Sequence, residues 1–251
     1  MITAFWSQTS GTWINVFTVI LGTAVGLSLR DRLPAAMQKV ITQGLGLITL
    51  MIGLEMGRSL FEVQAGVVDG VIVGLLALVA GGMLGEWWNI EGRLERIGNW
   101  LKRRFRGQGR FTEGFVAASL LFCIGPLALI GSLNNGLTGD NTLLVIKAAM
   151  DGLASIALTS TFGVGVGFSA LSVLLYQGGI SLGAAQFAQV LPDPATSPAI
   201  LAATGVGGLI IVGLGLTLLE VAKIRIASLL PALAIAPLLY GLGVLVTGRW
   251  G

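Results

Sequence analysis

Residues 111–151 read FTEGFVAASLLFCIGPLALIGSLNNGLTGDNTLLVIKAAMD. The stretch opens as a membrane helix, but Gly125-Pro126 interrupts it mid-span and Gly131-Ser132-Leu133-Asn134-Asn135-Gly136 closes it. A short polar turn follows, and the next apolar helix carries Lys147 and Asp151. Pro126 has no amide hydrogen, so the Phe122 carbonyl loses its helical donor. Freed carbonyls and ionisable groups at membrane depth are costly, and they are tolerated where they face protein or line a cavity. The stretch therefore predicts a broken span beside a charged one.

The whole chain supports that setting. It has 251 residues, 54% hydrophobic and only 11% charged, with a mean hydropathy of +0.88; soluble chains carry about 25% charged residues. Runs of about 20 apolar residues cross a hydrocarbon core, and there is room for about eight. The expected fold class is all-α: one polytopic transmembrane helix bundle over 1–251, with a broken helix and an interfacial amphipathic helix. The expected spans are 12–29, 39–57, 66–88, 111–137, 142–162, 164–186, 199–219 and 226–246. Residues 191–198, LPDPATSP, hold three prolines and are expected to form a loop. No cleavable leader is expected, because the first residues lack a basic segment ahead of the apolar run.

Between spans 3 and 4, Ile90, Leu94, Ile97, Trp100, Leu101 and Phe105 recur every three or four residues among charged ones. That pattern predicts an amphipathic helix over 90–105 lying in the membrane interface. Its basic end, Lys102, Arg103, Arg104 and Arg106, is suited to anionic lipids. Trp87 and Trp88 suit an interfacial belt.

With the N-terminus outside, loops 1–2, 3–4 and 7–8 hold twelve of the 15 basic residues; only Arg58, Lys147 and Arg249 fall elsewhere. Positive charge marks the cytoplasmic side, which predicts a plasma (inner) membrane protein with both termini outside. The net charge of +3 thus records topology rather than nucleic-acid binding. The single Cys123 excludes an intrachain disulfide, and the lack of histidine removes histidine metal sites, a Ser-His-Asp triad and histidine proton relays. Neither a phosphate-binding loop nor a hydrolase or zincin motif is present. No catalytic residue, cofactor or metal site is expected.

Asp69-Gly70, Gly81 and Gly85 echo Asp151-Gly152, Gly163 and Gly167 at a constant offset of 82 residues, as a parallel duplication of spans 3 and 5 would produce. Glycines spaced by four, Gly22/Gly26, Gly53/Gly57, Gly81/Gly85, Gly163/Gly167 and Gly179/Gly183, let helix backbones approach closely and could also join subunits of a homo-oligomer.

Lys147 and Asp151 are at i and i+4 and share a helix face. A charge at mid-span costs about 2.5–3.5 kcal/mol. Lysine can extend to the interface; the shorter aspartate cannot. Candidate substrate- or ion-binding residues are Asp151, Lys147, Asn134, Asn135, Asp140 and Asp69, with Gly125 and Pro126 as the helix break. Tyr176 and Gln177 lie mid-span in span 6, where a hydrogen bond to a neighbouring helix suffices. Glu86 is expected to meet a basic loop residue. Two functions compete: a transporter or channel for a small solute or ion, with a polar site open toward the outer side, and a non-transporting membrane scaffold.

The run LFCIGPLALIGSLNNGLTGD (121–140) with Lys147 and Met150-Asp151-Gly152, the segment Gly85-Glu86-Trp87-Trp88-Asn89-Ile90-Glu91-Gly92, and Leu229-Leu230-Pro231-Ala232-Leu233 together resemble the bacterial YqgA/YdfK-like membrane proteins, a domain of unknown function. The most specific part is Gly131, Asn134, Asn135, Gly136, Thr138, Gly139 and Asp140. The resemblance spans nearly the whole chain and implies an integral membrane protein. Trp87-Trp88 departs from the aliphatic pair usual there.

Overall fold

The computed structural model describes the backbone of residues 2–30, 32–190 and 197–248, with side chains described for 5–30, 32–184 and 197–246. The proline-bearing segment 191–196 and Arg249 lie outside the described residues. The protein is an all-α polytopic membrane bundle. Among the described residues seven helices are long and apolar enough to span a bilayer, and a bent pair, counted as one span, makes eight.

In chain order the helices are α1 (Ile2–Arg30), α2 (Ala35–Gly57), α3 (Gly70–Trp87), α4 (Ile90–Arg104), α5 (Phe111–Cys123), α6 (Pro126–Thr138), α7 (Thr142–Phe162), α8 (Ser169–Val190), α9 (Pro198–Leu218) and α10 (Ala232–Gly248). Every expected span has a counterpart. α1 begins ten residues earlier than its apolar run; within this extension the Thr9 and Ser10 hydroxyls donate to the Phe5 and Ser7 carbonyls, so they need no partner outside the helix. The amphipathic helix is present as α4, with Ile97, Trp100 and Phe105 exposed. A two-residue hairpin, β1 (Gln64–Ala65) and β2 (Val68–Asp69), precedes α3 in antiparallel register.

The expected span 4 is broken into α5 and α6, which meet at 61°. Each half has 13 residues, about 20 Å of helix against a core of about 30 Å. Ile124 turns extended, Gly125 takes φ 145°, and Pro126 opens α6 at its first position. Nothing lies within 4 Å of a Cβ placed on Gly125. Glycine is therefore needed there for backbone conformation, not for room. The last ladder bond of α5 runs from Ile124 to Leu120, which leaves the Leu121, Phe122 and Cys123 carbonyls without an intrahelical donor.

The chain, read above as one membrane domain, packs as two compact units, 1–45 with 95–194, and 46–94 with 195–251. In the first, α1 runs along α7. A Cβ on Gly22 would strike the Gly152 carbonyl, and one on Gly26 would come within 2.7 Å of the Ile156 carbonyl, so these glycines set the helix separation. In the second, Gly53 of α2 sits against α9, where a Cβ would lie 2.7 Å from the Val212 amide. Gly81 and Gly85 of α3 abut Ala232 and the Ser228 carbonyl. These glycine faces serve contacts inside the chain, whereas Gly179 faces open space.

The 82-residue echo is not a structural repeat. Gly70 opens α3, but Gly152 lies in the middle of α7. Gly163 ends α7 at φ 82°, while Gly81 is inside a helix. The matched glycines occupy unmatched helical positions, as chance allows among 38 glycines.

Candidate functional site

The first unit buries polar side chains along a helix face. On α1 the buried residues include Gly11, Thr12, Asn15, Val19, Gly22, Thr23 and Gly26, a stripe at helical spacing. The outer face carries Trp13, Ile14, Phe17, Ile20 and Leu21. Amphipathicity is thus inverted relative to a soluble helix, as suits a lipid-facing exterior.

Asn15 meets α7 and α8 at this stripe. Its Nδ2 donates to Asp151 Oδ2 at 2.9 Å and to Gln177 Oε1 at 3.3 Å. Lys147 Nζ donates to the same Asp151 oxygen at 2.5 Å. Asn15 and Gln177 are fully enclosed, and Lys147 and Asp151 each retain 6% of their surface. The α7 backbone supports the pair, since Ser155 Oγ donates to the Asp151 carbonyl at 2.7 Å. Cys123 is the last residue of α5, and α5 packs against α7. The helix that ends at the break therefore contacts the helix that carries the ion pair.

The cluster is incompletely satisfied. Thr12 Oγ1, Asn15 Oδ1 and Gln177 Nε2 are buried without a hydrogen-bond partner among the described residues. An unmet buried polar atom costs about 1–3 kcal/mol. Three of the four such atoms among the described residues lie on these facing stretches of α1 and α8, the fourth being Thr159 Oγ1.

Of the candidate binding residues named from sequence, only Lys147 and Asp151 share this cluster; Gln177, named there for a helix–helix hydrogen bond, joins them. Asn135 is fully buried on α6 and does different work. Its Oδ1 accepts from the Gly11 amide at 3.0 Å and its Nδ2 donates to the Ser7 carbonyl at 2.9 Å. Those two α1 groups are partners in an ordinary helix, so Asn135 splices its amide into the α1 ladder. Asn134 is half-buried, and its carbonyl accepts from Thr138.

Asp140 is exposed in the α6–α7 turn, where Oδ1 accepts from the Thr142 amide and hydroxyl; these bonds hold its carboxyl below the usual carboxylate range. Asp69 belongs to the second unit. It is exposed and caps α3 by accepting from the Val71 amide at 2.8 Å. Its short side chain bonds locally, which is why an aspartate before a helix is usually a cap. Glu86 meets Arg225 at 2.6 Å, also in the second unit.

Sequence reasoning missed Asn15 and Thr12 and left Gln177 as a minor contact. The signal was present, because Asn15 is the single amide between residues 12 and 29. A separate cavity of about 200 Å³, lined by Ile20, Thr23, Val164, Gly167 and Phe168, is mainly apolar and contains none of the cluster residues.

Comparison with known proteins places this chain in a family. The chain is 32% identical over 229 residues to "Uncharacterized membrane protein YdfK" of Bacillus subtilis (strain 168), covering 90% of this chain and 93% of that one. It is 28% identical over 233 residues to "Uncharacterized protein YqgA" of Escherichia coli (strain K12), covering 90% and 94%. No solved structure matches. The family described as "Protein of unknown function (DUF554)" matches residues 10–241, and the chain belongs to it.

Proposed function

We propose that the protein is a transporter or channel for a small solute or ion, with its polar site built from α1, α7 and α8 beside the α5–α6 break. The observation that carries this reading is the buried, incompletely satisfied Asn15–Lys147–Asp151–Gln177 cluster. Broken helices and intramembrane charges occur together at transport sites, and an ionisable residue inside a membrane is a functional-site candidate. The positive-inside pattern supports a plasma-membrane location with both termini outside, so that the Asn134–Asp140 end of α6 faces outward. The basic end of α4 then meets anionic headgroups on the cytoplasmic side.

The test is flux in proteoliposomes with a panel of alkali ions, halides and amino acids, wild type against Asp151→Asn. Wild type moves at least one solute and Asp151→Asn loses that flux. Equal flux in both, or none across the panel, sinks the reading. One observation favours a second reading, a membrane scaffold: Lys147 and Asp151 already neutralise each other at 2.5 Å. A scaffold predicts no flux and unchanged assembly when the pair is replaced by apolar residues.

A further inference from the structure

The cluster holds more oxygen than it uses. Asp151 engages through Oδ2 alone; no hydrogen bond from the described residues reaches its Oδ1. Asn15 must turn Nδ2 toward the carboxylate, so its free Oδ1 is an acceptor. Thr12, fully buried one turn earlier, has an unpartnered hydroxyl oxygen, and its methyl faces Gly178 of α8. The spare donors are Gln177 Nε2 and the Thr12 hydroxyl hydrogen, which can turn away from a ligand that needs the oxygen.

This inventory discriminates between ligands. Hard cations select oxygen donors, whereas an anion here would meet two acceptor-only atoms. Among the described residues no group of three or more His, Cys, Asp or Glu is assembled to hold a metal ion, and a single carboxylate balances one positive charge. The Lys147 ammonium already occupies such a seat, 2.5 Å from Asp151 Oδ2.

We propose that the cluster binds a small monovalent cation and that Lys147 is its tethered competitor. The ion takes the place of the ammonium on Asp151, with Asn15 Oδ1 and Thr12 Oγ1 completing its oxygen contacts. Lys147 then swings toward the N-terminal end of α7. It lies five residues beyond Thr142, about 7.5 Å along the helix, a distance that a four-carbon stem can largely cover by snorkelling. Asp151 is compensated in both states, so neither leaves an unpaired buried carboxylate. This inference rests on the transport reading and names its substrate class.

Purified full-length protein in detergent is melted while titrated with NaCl, KCl or N-methyl-D-glucamine chloride at constant ionic strength. Sodium or potassium is expected to stabilise wild type in a saturable manner that the bulky organic cation does not reproduce. Lys147→Met removes the competitor and should lower the half-saturating concentration about tenfold if the vacated seat is a minor state in wild type. Asp151→Asn should abolish the effect. Should Asp151→Asn fail to fold, Thr12→Val keeps the shape and loses one oxygen, so it should fold and bind the ion several-fold more weakly.

Identical melting of Lys147→Met in all three salts overturns the proposal, and so does unchanged affinity in Thr12→Val. A cluster holding only buried water gives that first result. Cation stabilisation without flux of any ion keeps the site and removes the transport reading; flux of another solute without cation stabilisation does the reverse.

Discussion

Asp69-Gly70 and Asp151-Gly152 are the same dipeptide in two settings. Asp69 stands ahead of α3 in the second unit, exposed, holding the Val71 amide. Asp151 sits in the middle of α7 in the first unit, buried and bonded to Lys147 and Asn15. The surroundings follow the same division. In the second unit α3 and α9 bury only glycine and apolar side chains, and its described buried polar residues are the hydroxyls Thr49, Ser59 and Ser228. In the first unit the buried set includes two amides and an ion pair around Asn15, Gln177, Lys147 and Asp151. Small residues pack both units, but among the described residues only the first buries an ion pair. The difference teaches that residue type at membrane depth is informative only once depth and partners are known.

The comparison breaks most sharply at the aspartates. Asp151→Leu should cost about 3 kcal/mol, the low end for a broken buried pair because the Lys147 stem can reach toward the end of α7, whereas Asp69→Ala should cost about 0.5–2 kcal/mol as a lost cap. Chemical denaturation in detergent micelles measures both. Adding Lys147→Met to Asp151→Leu should restore most of the loss, since an apolar pair replaces a buried ion pair with little penalty. Equal costs at the two aspartates would erase the distinction.

Glycine substitutions should treat the units alike. Gly22→Val and Gly53→Val each force side-chain atoms into a facing backbone, at an expected cost of about 1–3 kcal/mol, read from melting temperatures. Gly125→Ala probes only the helix break. With no atom near its Cβ, any loss is backbone strain, of order 1–3 kcal/mol.

Smaller effects separate satisfied from unsatisfied hydroxyls. Ser59 Oγ donates to the Leu201 carbonyl at 2.8 Å, so Ser59→Ala should cost about 1 kcal/mol. Thr12 makes no such bond, and Thr12→Val should be neutral or stabilising in the absence of ligand. The smallest effect is acid sensitivity in the α6–α7 turn. The Asp140 carboxyl is held low by its bonds to Thr142. Its contribution is present above the ordinary carboxylate range and is lost as pH falls through the lowered value. Asp140→Asn should remove that acid-side dependence, seen as flatter protection of the Thr142 amide from hydrogen exchange at low pH.

Much of the fold was legible because a bilayer leaves few choices. Runs such as 142–162 must be helical to satisfy their backbone in lipid, and Gly125-Pro126 named its own break. The candidate site was half legible. Lys147 and Asp151 are four residues apart and advertise themselves by charge. Asn15 is 136 residues from its aspartate partner, and an uncharged amide in an apolar run carries little signal. Asn135 is the opposite case: its position beside a turn suggested ligand contact, and only the structure shows that its side chain bridges two backbone groups of α1.

Residues 111–151 by themselves determined that a broken span precedes a charged one, because proline cannot donate and lysine and aspartate cannot enter lipid unaccompanied. Tertiary structure alone decided what accompanies them. Close approach of α1 to α7 at Gly22 and Gly152 brings Asn15 onto Asp151, and no local rule of spacing relates those positions. Helix formation follows from nearest neighbours in the chain; a buried polar site is assembled from neighbours in space.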